Sequence, residues 1–188
     1  MTDSPTSEAI TPPTPTPVSP PMSPQALFAE LDRLAIPHRT VEHPALHTVV
    51  ESQALRGDLP GGHTKNLFLK DKKGQRFLVS MEEEAEVDLK TLHTRVGGKG
   101  RVSFAGADDM MALLGVAPGS VTLFGIINDG GGAVRVFVDE GLLAHEMINA
   151  HPLVNTATTT VRTADMMRFL DAFGHRPTIL NRDGEMPS

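Results

Sequence analysis

Two polar residues whose side chains could take part in catalysis or binding, Lys65 and Asn66, precede the short apolar segment Leu67-Phe68-Leu69. A segment of this length and alternation is typical of a buried strand, so both polar side chains open a predicted strand. The lysine has two interpretations. It is a surface residue whose stem covers apolar neighbours, or it is a cation placed to meet an anion in a cleft.

Further polar groups lie at two predicted turns later in the chain. The turn Gly119 to Thr122 follows the corner residue Pro118 and offers backbone N–H groups and two hydroxyls. His151 and Asn155 flank a proline close to a β-branched run. Backbone N–H groups can stabilise developing negative charge. Each of these residues alone is more often structural, and spacing does not show whether they share a pocket.

The chain lacks the sequence motifs of several common classes of enzyme and metal site. It has no cysteine, no His-Glu-x-x-His, no Gly-x-Ser-x-Gly and no Walker loop. Two of its eight histidines, His43 and His47, are four residues apart but flank Pro44, which argues against a helical zinc pair. We therefore expect neither a metal nor another cofactor.

The charge and hydropathy of the chain limit its partners and location. Its net charge of −6 makes it a poor general binder of nucleic acid, so an RNA partner would need a local basic patch. No apolar run approaches the roughly 20 residues that cross a bilayer, and the start does not resemble a secretory signal. With no cysteine, the composition fits a reducing cytoplasm. We expect a cytoplasmic protein without a membrane partner.

The composition divides the chain into three parts. Eight prolines with many Thr and Ser residues predict a disordered or polyproline-like tail over residues 1–24. A single domain is expected over residues 25–182, and a flexible C-terminus over residues 183–188.

Local patterns place short strands among five or six helices. Ser23 caps the first predicted helix, and Lys65–Asp71 and Gln75–Met81 form a predicted hairpin. Gly115 ends one helix, and Thr163 caps the last one. The remaining predicted strands are 38–43, 101–104, 120–129, 134–139, 156–161 and 178–180, with a hairpin loop at 130–132. The remaining predicted helices are 48–55, 88–93 opened by the acidic run 82–86, 107–114 and 140–148. Because crossover helices do not follow each strand, an α+β (mixed α/β) domain is favoured over a doubly wound parallel sheet.

The segment Gly-Gly-His-Thr-Lys-Asn-Leu-Phe-Leu-Lys-Asp-Lys-Lys-Gly over 61–74 resembles the signature of the YbaK-like, prolyl-tRNA-synthetase-associated editing domains. Residues 116–122 and 151–158 resemble the freestanding branch that clears alanyl-tRNA(Pro). The resemblance covers about residues 25–173 and implies a mixed, barrel-like sheet surrounded by helices. It also implies a trans-acting deacylase that hydrolyses the ester of mischarged alanyl-tRNA(Pro). The partners would be the acceptor end of tRNA(Pro) and prolyl-tRNA synthetase. DNA is not expected to be a partner.

The same resemblance implies roles for single residues. The lysine matching Lys65 is the central functional residue, and Asn66 lies beside it. His151 and Asn155 border the amino-acid pocket, whose wall is the turn formed by Gly119, Ser120, Val121, Thr122 and Leu123. We therefore expect the Lys65 ammonium to enter a hollow faced by the amide hydrogens of residues 119–122.

One departure from the family pattern keeps other functions open. The family turn commonly reads Gly-x-x-x-Pro, and Leu123 stands here in place of the proline. Leucine keeps a backbone N–H and loosens the pocket wall. The alternatives are a non-catalytic module that binds tRNA or a synthetase, and a deacylase for another small amino acid such as serine or cysteine.

Basic residues around the central hairpin and the glycine-rich turn after it are the candidates for tRNA contact. The alternative is that they are solvated charges at turns. They are Lys70, Lys72, Lys73, Arg76, Lys99 and Arg101.

Overall fold

The computed structural model describes residues 20–45 and 59–181. Its strands are β1 (His38–Glu42), β2 (Gly62–Lys70), β3 (Arg76–Glu82), β4 (Ser103–Phe104), β5 (Val134–Asp139), β6 (Met147–Ala150), β7 (Ala157–Arg162) and β8 (Thr178–Leu180). Its helices are α1 (Pro24–Arg33), α2 (Leu89–Arg95), α3 (Ala107–Leu114), α4 (Glu140–Leu143) and α5 (Thr163–Ala172), with a 3-10 helix at Leu123–Asn128. No helix of these residues is long and apolar enough to cross a membrane.

The eight strands form one mixed sheet in the order β1-β7-β6-β2-β3-β5-β8, with β4 paired to β2. The β2–β3 hairpin is antiparallel, and β3 then pairs in parallel with β5. The predicted mixed α/β fold is confirmed, including the central hairpin and β8 at the sheet edge. Closure of this sheet into a barrel stays a prediction.

The alternation along β2 separates two apolar cores. Phe68 belongs to the larger core, which also contains Leu78, Leu123 and Phe124. Leu69 points to the opposite face and belongs to a smaller core formed with residues of β3, β5 and α2. Successive strand residues face opposite sides, so the odd-numbered residues of β2, Lys65 included, share the face of the smaller core.

Two helix ends behave as the local signals predict. The Ser23 hydroxyl accepts a hydrogen bond from the Ala26 N–H at the start of α1. Gly115 ends α3 at a φ of 65°, a left-handed conformation that costs glycine little. The predicted helix over 48–55 lies outside the described residues.

The predicted strand over residues 120–129 is wrong, because its second half is the 3-10 helix Leu123–Asn128. The Thr122 hydroxyl accepts from the Phe124 N–H and starts this helix, and residues 123–126 are all buried. A short run that is apolar on every side fits a buried strand and a buried helical turn equally well. Without that strand, residues 130–132 are not a hairpin loop but lead from the 3-10 helix into β5.

Three other local predictions need correction. The predicted helix over 140–148 ends at Leu143, because residues 147–150 pair as β6 with β7 and β2. Thr163 is the first residue of α5 and not its cap, since its hydroxyl donates to the His145 carbonyl. The acidic run does not open α2: Glu82 ends β3, and residues 83–88 form a loop whose last residue, Asp88, caps the helix.

The three-part division of the chain stays a prediction. Within the described part, ordered contacts begin before residue 25, because the Met22 N–H donates to Asn128 Oδ1 at 2.8 Å. Met22 also packs against the larger core.

Candidate functional site

Lys65 lies in an open cleft of about 750 Å³ on the face of the smaller core. β2 forms one wall with Lys65 and Leu67, and the segment from Glu84 to Leu89 faces it, with Phe104 at the side. The Lys65 ammonium donates a hydrogen bond to the carbonyl of Ala85. The alternation of β2 and the loop after β3 therefore position a half-buried cation over a partly apolar hollow.

The charge in this cleft is predominantly negative. Glu84, Glu86 and Asp88 line it together with the single ammonium of Lys65. A phosphate group would meet these carboxylates, whereas an ester or a ribose hydroxyl carries no charge for them to repel. An ammonium has three N–H donors, so Lys65 keeps two for a ligand beyond the one given to Ala85.

Asn66 points away from the Lys65 cleft. Its Oδ1 accepts from the Ser80 hydroxyl, and its Nδ2 donates to Thr64 Oγ1 at 3.2 Å. Thr64 Oγ1 donates in turn to the Asn149 carbonyl at 3.0 Å. This chain of hydrogen bonds ties β3, β2 and β6 together. Asn66 is adjacent to Lys65 in sequence, but the strand geometry separates their side chains.

The turn over residues 119–123 lies with the larger core, on the other face of the sheet from Lys65. Leu123 is fully buried there with Phe68. The Ser120 N–H already donates to the Ala117 carbonyl at 3.0 Å, so it is not open to an oxyanion. The structure does not bring Lys65 and the amides of this turn into the one hollow expected from the resemblance.

Three other predicted pocket residues, Gly119, Asn155 and His151, also lie away from Lys65. Gly119 has a φ of 88°, and a Cβ built on it would lie 3.5 Å from the Asn155 amide nitrogen, so the turn and the 151–156 loop adjoin. The ring of His151 lies 6.4 Å from that of His43, and its Nδ1 contacts the Ala157 carbonyl at 3.0 Å. None of these residues lines the Lys65 cleft, and we call the predicted pocket residues outside that cleft the second group.

Three of the predicted RNA-contact residues share a cleft of about 590 Å³ near the hairpin turn. Lys73, Arg76 and Lys99 line it together with Arg135. Arg76 also contacts Asp109 at 2.6 Å, as Lys70 does at 3.6 Å, so one carboxylate offsets part of this charge. The other two predicted residues, Lys72 and Arg101, are exposed.

The buried carboxylate of Asp71 joins the two turns that carry these cations. It accepts the backbone N–H groups of Lys99 at 2.8 Å, Lys73 at 2.9 Å and Gln75 at 3.0 Å. These bonds, that from Lys99 above all, hold the pKa of Asp71 below its ordinary value. The pKa of Asp109 is also lowered, chiefly by the hydrogen bond from Arg76.

Sequence patterns missed two residues of these clefts. Phe104 lines the Lys65 cleft and is the most exposed large apolar residue of the described part. Arg135 stands over the rings of Phe77 and Phe137, at 5.8 and 5.3 Å from their centroids. The sequence Val-Arg-Val-Phe-Val places a charged residue inside an otherwise apolar strand, and this pattern could have identified Arg135 as a candidate site residue. Residues 20–45 and 59–181 contain no group of three His, Asp or Glu side chains suited to a metal ion.

The sequence that forms this mixed sheet matches a known class of domain. The family model described as the aminoacyl-tRNA editing domain matches residues 43–169, which is more than half of the chain. This chain belongs to the aminoacyl-tRNA editing domain family.

Particular relatives agree with this assignment. The chain is 34% identical over 152 residues to the prolyl-tRNA editing protein ProX of Acetoanaerobium sticklandii, with 80% of this chain and 92% of the relative covered. It is 36% identical over 170 residues to the prolyl-tRNA synthetase associated domain-containing protein 1 of Mus musculus, covering 86% and 100%. A crystal structure described as a candidate trans-editing enzyme for prolyl tRNA synthetase has a TM-score of 0.62 at 21% identity, with coverage of 89% and 98%. That likeness concerns the fold.

Proposed function

We propose that this protein is a trans-acting aminoacyl-tRNA hydrolase that removes alanine from mischarged tRNA(Pro). Membership in the aminoacyl-tRNA editing family across residues 43–169 is the observation that carries the proposal. The names of the two relatives, one for prolyl-tRNA editing and one for association with prolyl-tRNA synthetase, support the choice of tRNA. The enzyme would act in the cytoplasm, after the synthetase has released the tRNA.

The reaction is the hydrolysis of an activated ester. Water adds to the carbonyl carbon, the bond to the ribose oxygen breaks, and alanine and the tRNA with a free hydroxyl leave. We assign Lys65 the task of orienting the ester, through the two N–H donors that Ala85 does not use. Donation to the carbonyl oxygen would also stabilise the negative charge that develops there. The carboxylates of the cleft favour this role over contact with a phosphate.

The second group of predicted site residues is the alternative position for the acyl site, because an alanyl ester held by Lys65 cannot also reach residues on the other face of the sheet. It comprises Gly119, Ser120, Val121, Thr122, Leu123, His151 and Asn155. Because this group and Lys65 lie in different places, their contributions are separable by substitution. Loss of hydrolysis in Asn155→Ala with normal hydrolysis in Lys65→Ala would move the acyl site to this group.

The basic cleft near the hairpin turn is the proposed contact for the acceptor end of tRNA(Pro). Lys73, Arg76, Lys99 and Arg135 together present four cations to one hollow. Contact with phosphates releases counterions, so the affinity for tRNA should fall as the salt concentration rises. Prolyl-tRNA synthetase is a proposed second partner, which would hand over the tRNA.

The decisive experiment is release of alanine from alanyl-tRNA(Pro) by the purified full chain and by Lys65→Ala. Loss of a donor to the developing oxyanion lowers the rate by about 10²- to 10³-fold. Lys90→Ala is the matched control, because Lys90 is an exposed lysine on α2 that does not line the cleft. Hydrolysis at the same rate by the wild type and Lys65→Ala would refute the role of Lys65. Saturable tRNA binding with no hydrolysis by the wild type would support the non-catalytic module instead.

A deacylase for serine or cysteine is the second candidate, and Leu123 is the observation that favours it. Without the family proline, the turn keeps more backbone freedom. A panel of tRNAs carrying alanine, serine and cysteine compares kcat/KM for the three esters. A larger kcat/KM for serine or cysteine than for alanine would replace alanine as the substrate.

A further inference from the structure

Phe104 is an aromatic residue exposed at the side of the Lys65 cleft. It is 56% exposed, and among the large apolar residues of the described part only Met111, at 47%, is also exposed. More than half of the Phe104 surface therefore faces water, although burying an aromatic ring is more favourable than exposing it. Of the cleft's lining residues, Phe104 is the one with an aromatic face.

The fold does not need this ring for its own packing. β4 is held by its pairing with β2 and by the hydrogen bond from the Ala105 N–H to the Phe68 carbonyl at 2.9 Å. Ala105, the next residue, is buried in the larger core, whereas the Phe104 ring points to the opposite face. Replacing the ring should therefore leave the sheet and the core intact.

The register of β4 sets the distance from Phe104 to Lys65. Phe104 pairs with Leu69, so the two side chains share the face of Lys65 and Leu67. From Lys65 to Leu69, β2 spans about 14 Å, at roughly 3.4 Å per residue. Phe104 and Lys65 therefore lie at opposite ends of this span, and the apolar side chains of Leu67 and Leu89 line the cleft with them.

We propose that the Phe104 ring is the stacking surface for the terminal base of the tRNA, with the ribose and its ester directed to Lys65. This inference rests on the proposed function, which supplies an RNA 3′ end as the ligand. Single-stranded ends of RNA are commonly bound by stacking an unpaired base on an aromatic side chain. The terminal base of tRNA is adenine, a purine with a large face.

The charges along the chain agree with this orientation. From Phe104 the chain runs back through Arg101 and Lys99 to the hairpin turn, where the Lys72 stem lies against Gly100. These cations lie on the side of Phe104 away from Lys65. The preceding phosphates of the RNA would therefore lie toward basic residues, and the uncharged ester toward the carboxylates at the other end.

Fluorescence of the terminal base tests the stacking directly. The probe is an acceptor-stem RNA in which 2-aminopurine replaces the terminal adenine, because stacking quenches its emission. We expect quenching by the wild type and by Phe104→Trp, but not by Phe104→Leu. Met111→Ala, the other exposed apolar residue, is the control and should quench as the wild type does. Equal quenching by Phe104→Leu and the wild type, or no quenching by the wild type, would overturn the proposal.

An abasic substrate separates this inference from the proposed function. Loss of one base–aromatic stack costs about 1–3 kcal/mol, so Phe104→Leu should lower kcat/KM on alanyl-tRNA by roughly 5- to 150-fold. Removing the terminal base should cost the wild type a similar factor and cost Phe104→Leu little more. Equal losses in both proteins would refute the stacking while leaving the deacylase intact. Quenching without any hydrolysis would support the stacking and refute the deacylase.

Discussion

Replacing Leu123 by proline restores the family residue at a position where the backbone already suits it. Leu123 is the first residue of the 3-10 helix, a position whose N–H makes no bond within the helix. The preceding residue, Thr122, is extended with φ −154° and ψ 154°, which a following proline tolerates. The typical φ of a 3-10 helix, about −60°, is also the φ of proline. We therefore expect no backbone strain in Leu123→Pro.

The expected change in stability comes from the side chain. Leu123 is fully buried, and proline has one side-chain carbon fewer, which removes about 0.8 kcal/mol of burial. A proline in a compatible conformation returns about 0.4–1 kcal/mol by restricting the unfolded chain. The two effects nearly cancel, so the free energy of unfolding should change by less than about 1 kcal/mol. Leu123→Ala removes more carbons without that compensation and should cost about 2–5 kcal/mol.

Urea unfolding of the three proteins, followed by circular dichroism, measures this comparison. We expect the Leu123→Pro midpoint to lie close to that of the wild type and the Leu123→Ala midpoint to lie well below it. If Leu123→Pro were as destabilised as Leu123→Ala, the backbone assignment at Thr122 and Leu123 would be wrong. The same variant, assayed on the panel of esters, should raise the preference for alanine over serine if the turn forms the pocket wall.

Two further predictions concern the carboxylates near the basic cleft. The folded pKa of Asp71 is lowered relative to that of an unfolded aspartate, so its carboxylate stabilises the fold above the unfolded pKa and loses this effect as the pH falls through the folded pKa. Asp71→Asn should therefore lower the thermal midpoint at pH 7 and make little difference at the acid end, and an equal deficit at both ends in calorimetry would contradict this. Asp109→Asn frees Lys70 and Arg76 from a carboxylate and should strengthen tRNA binding, with a slope of log K against log salt steeper by about one. Unchanged affinity in a salt titration would show that these cations do not contact RNA.

Local interactions explain which predictions from the sequence were confirmed. Ser23 caps α1 through a hydrogen bond from a residue three positions away, and Gly115 ends α3 through its own backbone freedom. The β2–β3 hairpin joins neighbouring segments through a short turn. Each of these features depends on residues close in the chain, so the pattern of residue types suffices to predict it.

Long-range contacts explain the predictions that were wrong. Residues 147–148 end the predicted helix over 140–148, yet they belong to β6, which pairs with β2 on one side and β7 on the other. Residues 123–127 are apolar, and they pack against α3 and α5 as a 3-10 helix in the larger core. Periodicity along the chain carries no information about such partners.

The sequence by itself determined the family, because a run of residue types over 61–74 is a property of the chain alone. The tertiary structure decided which of the candidate residues meet. The alternation of β2 turns Lys65 to one face of the sheet and Asn66 to the other, while the packing of Leu123 holds its turn with the larger core. Phe104 enters the Lys65 cleft because β4 pairs with β2 across more than 30 residues of chain. Such neighbours depend on pairing between strands that are distant in the chain, and a local pattern does not name the partner strand.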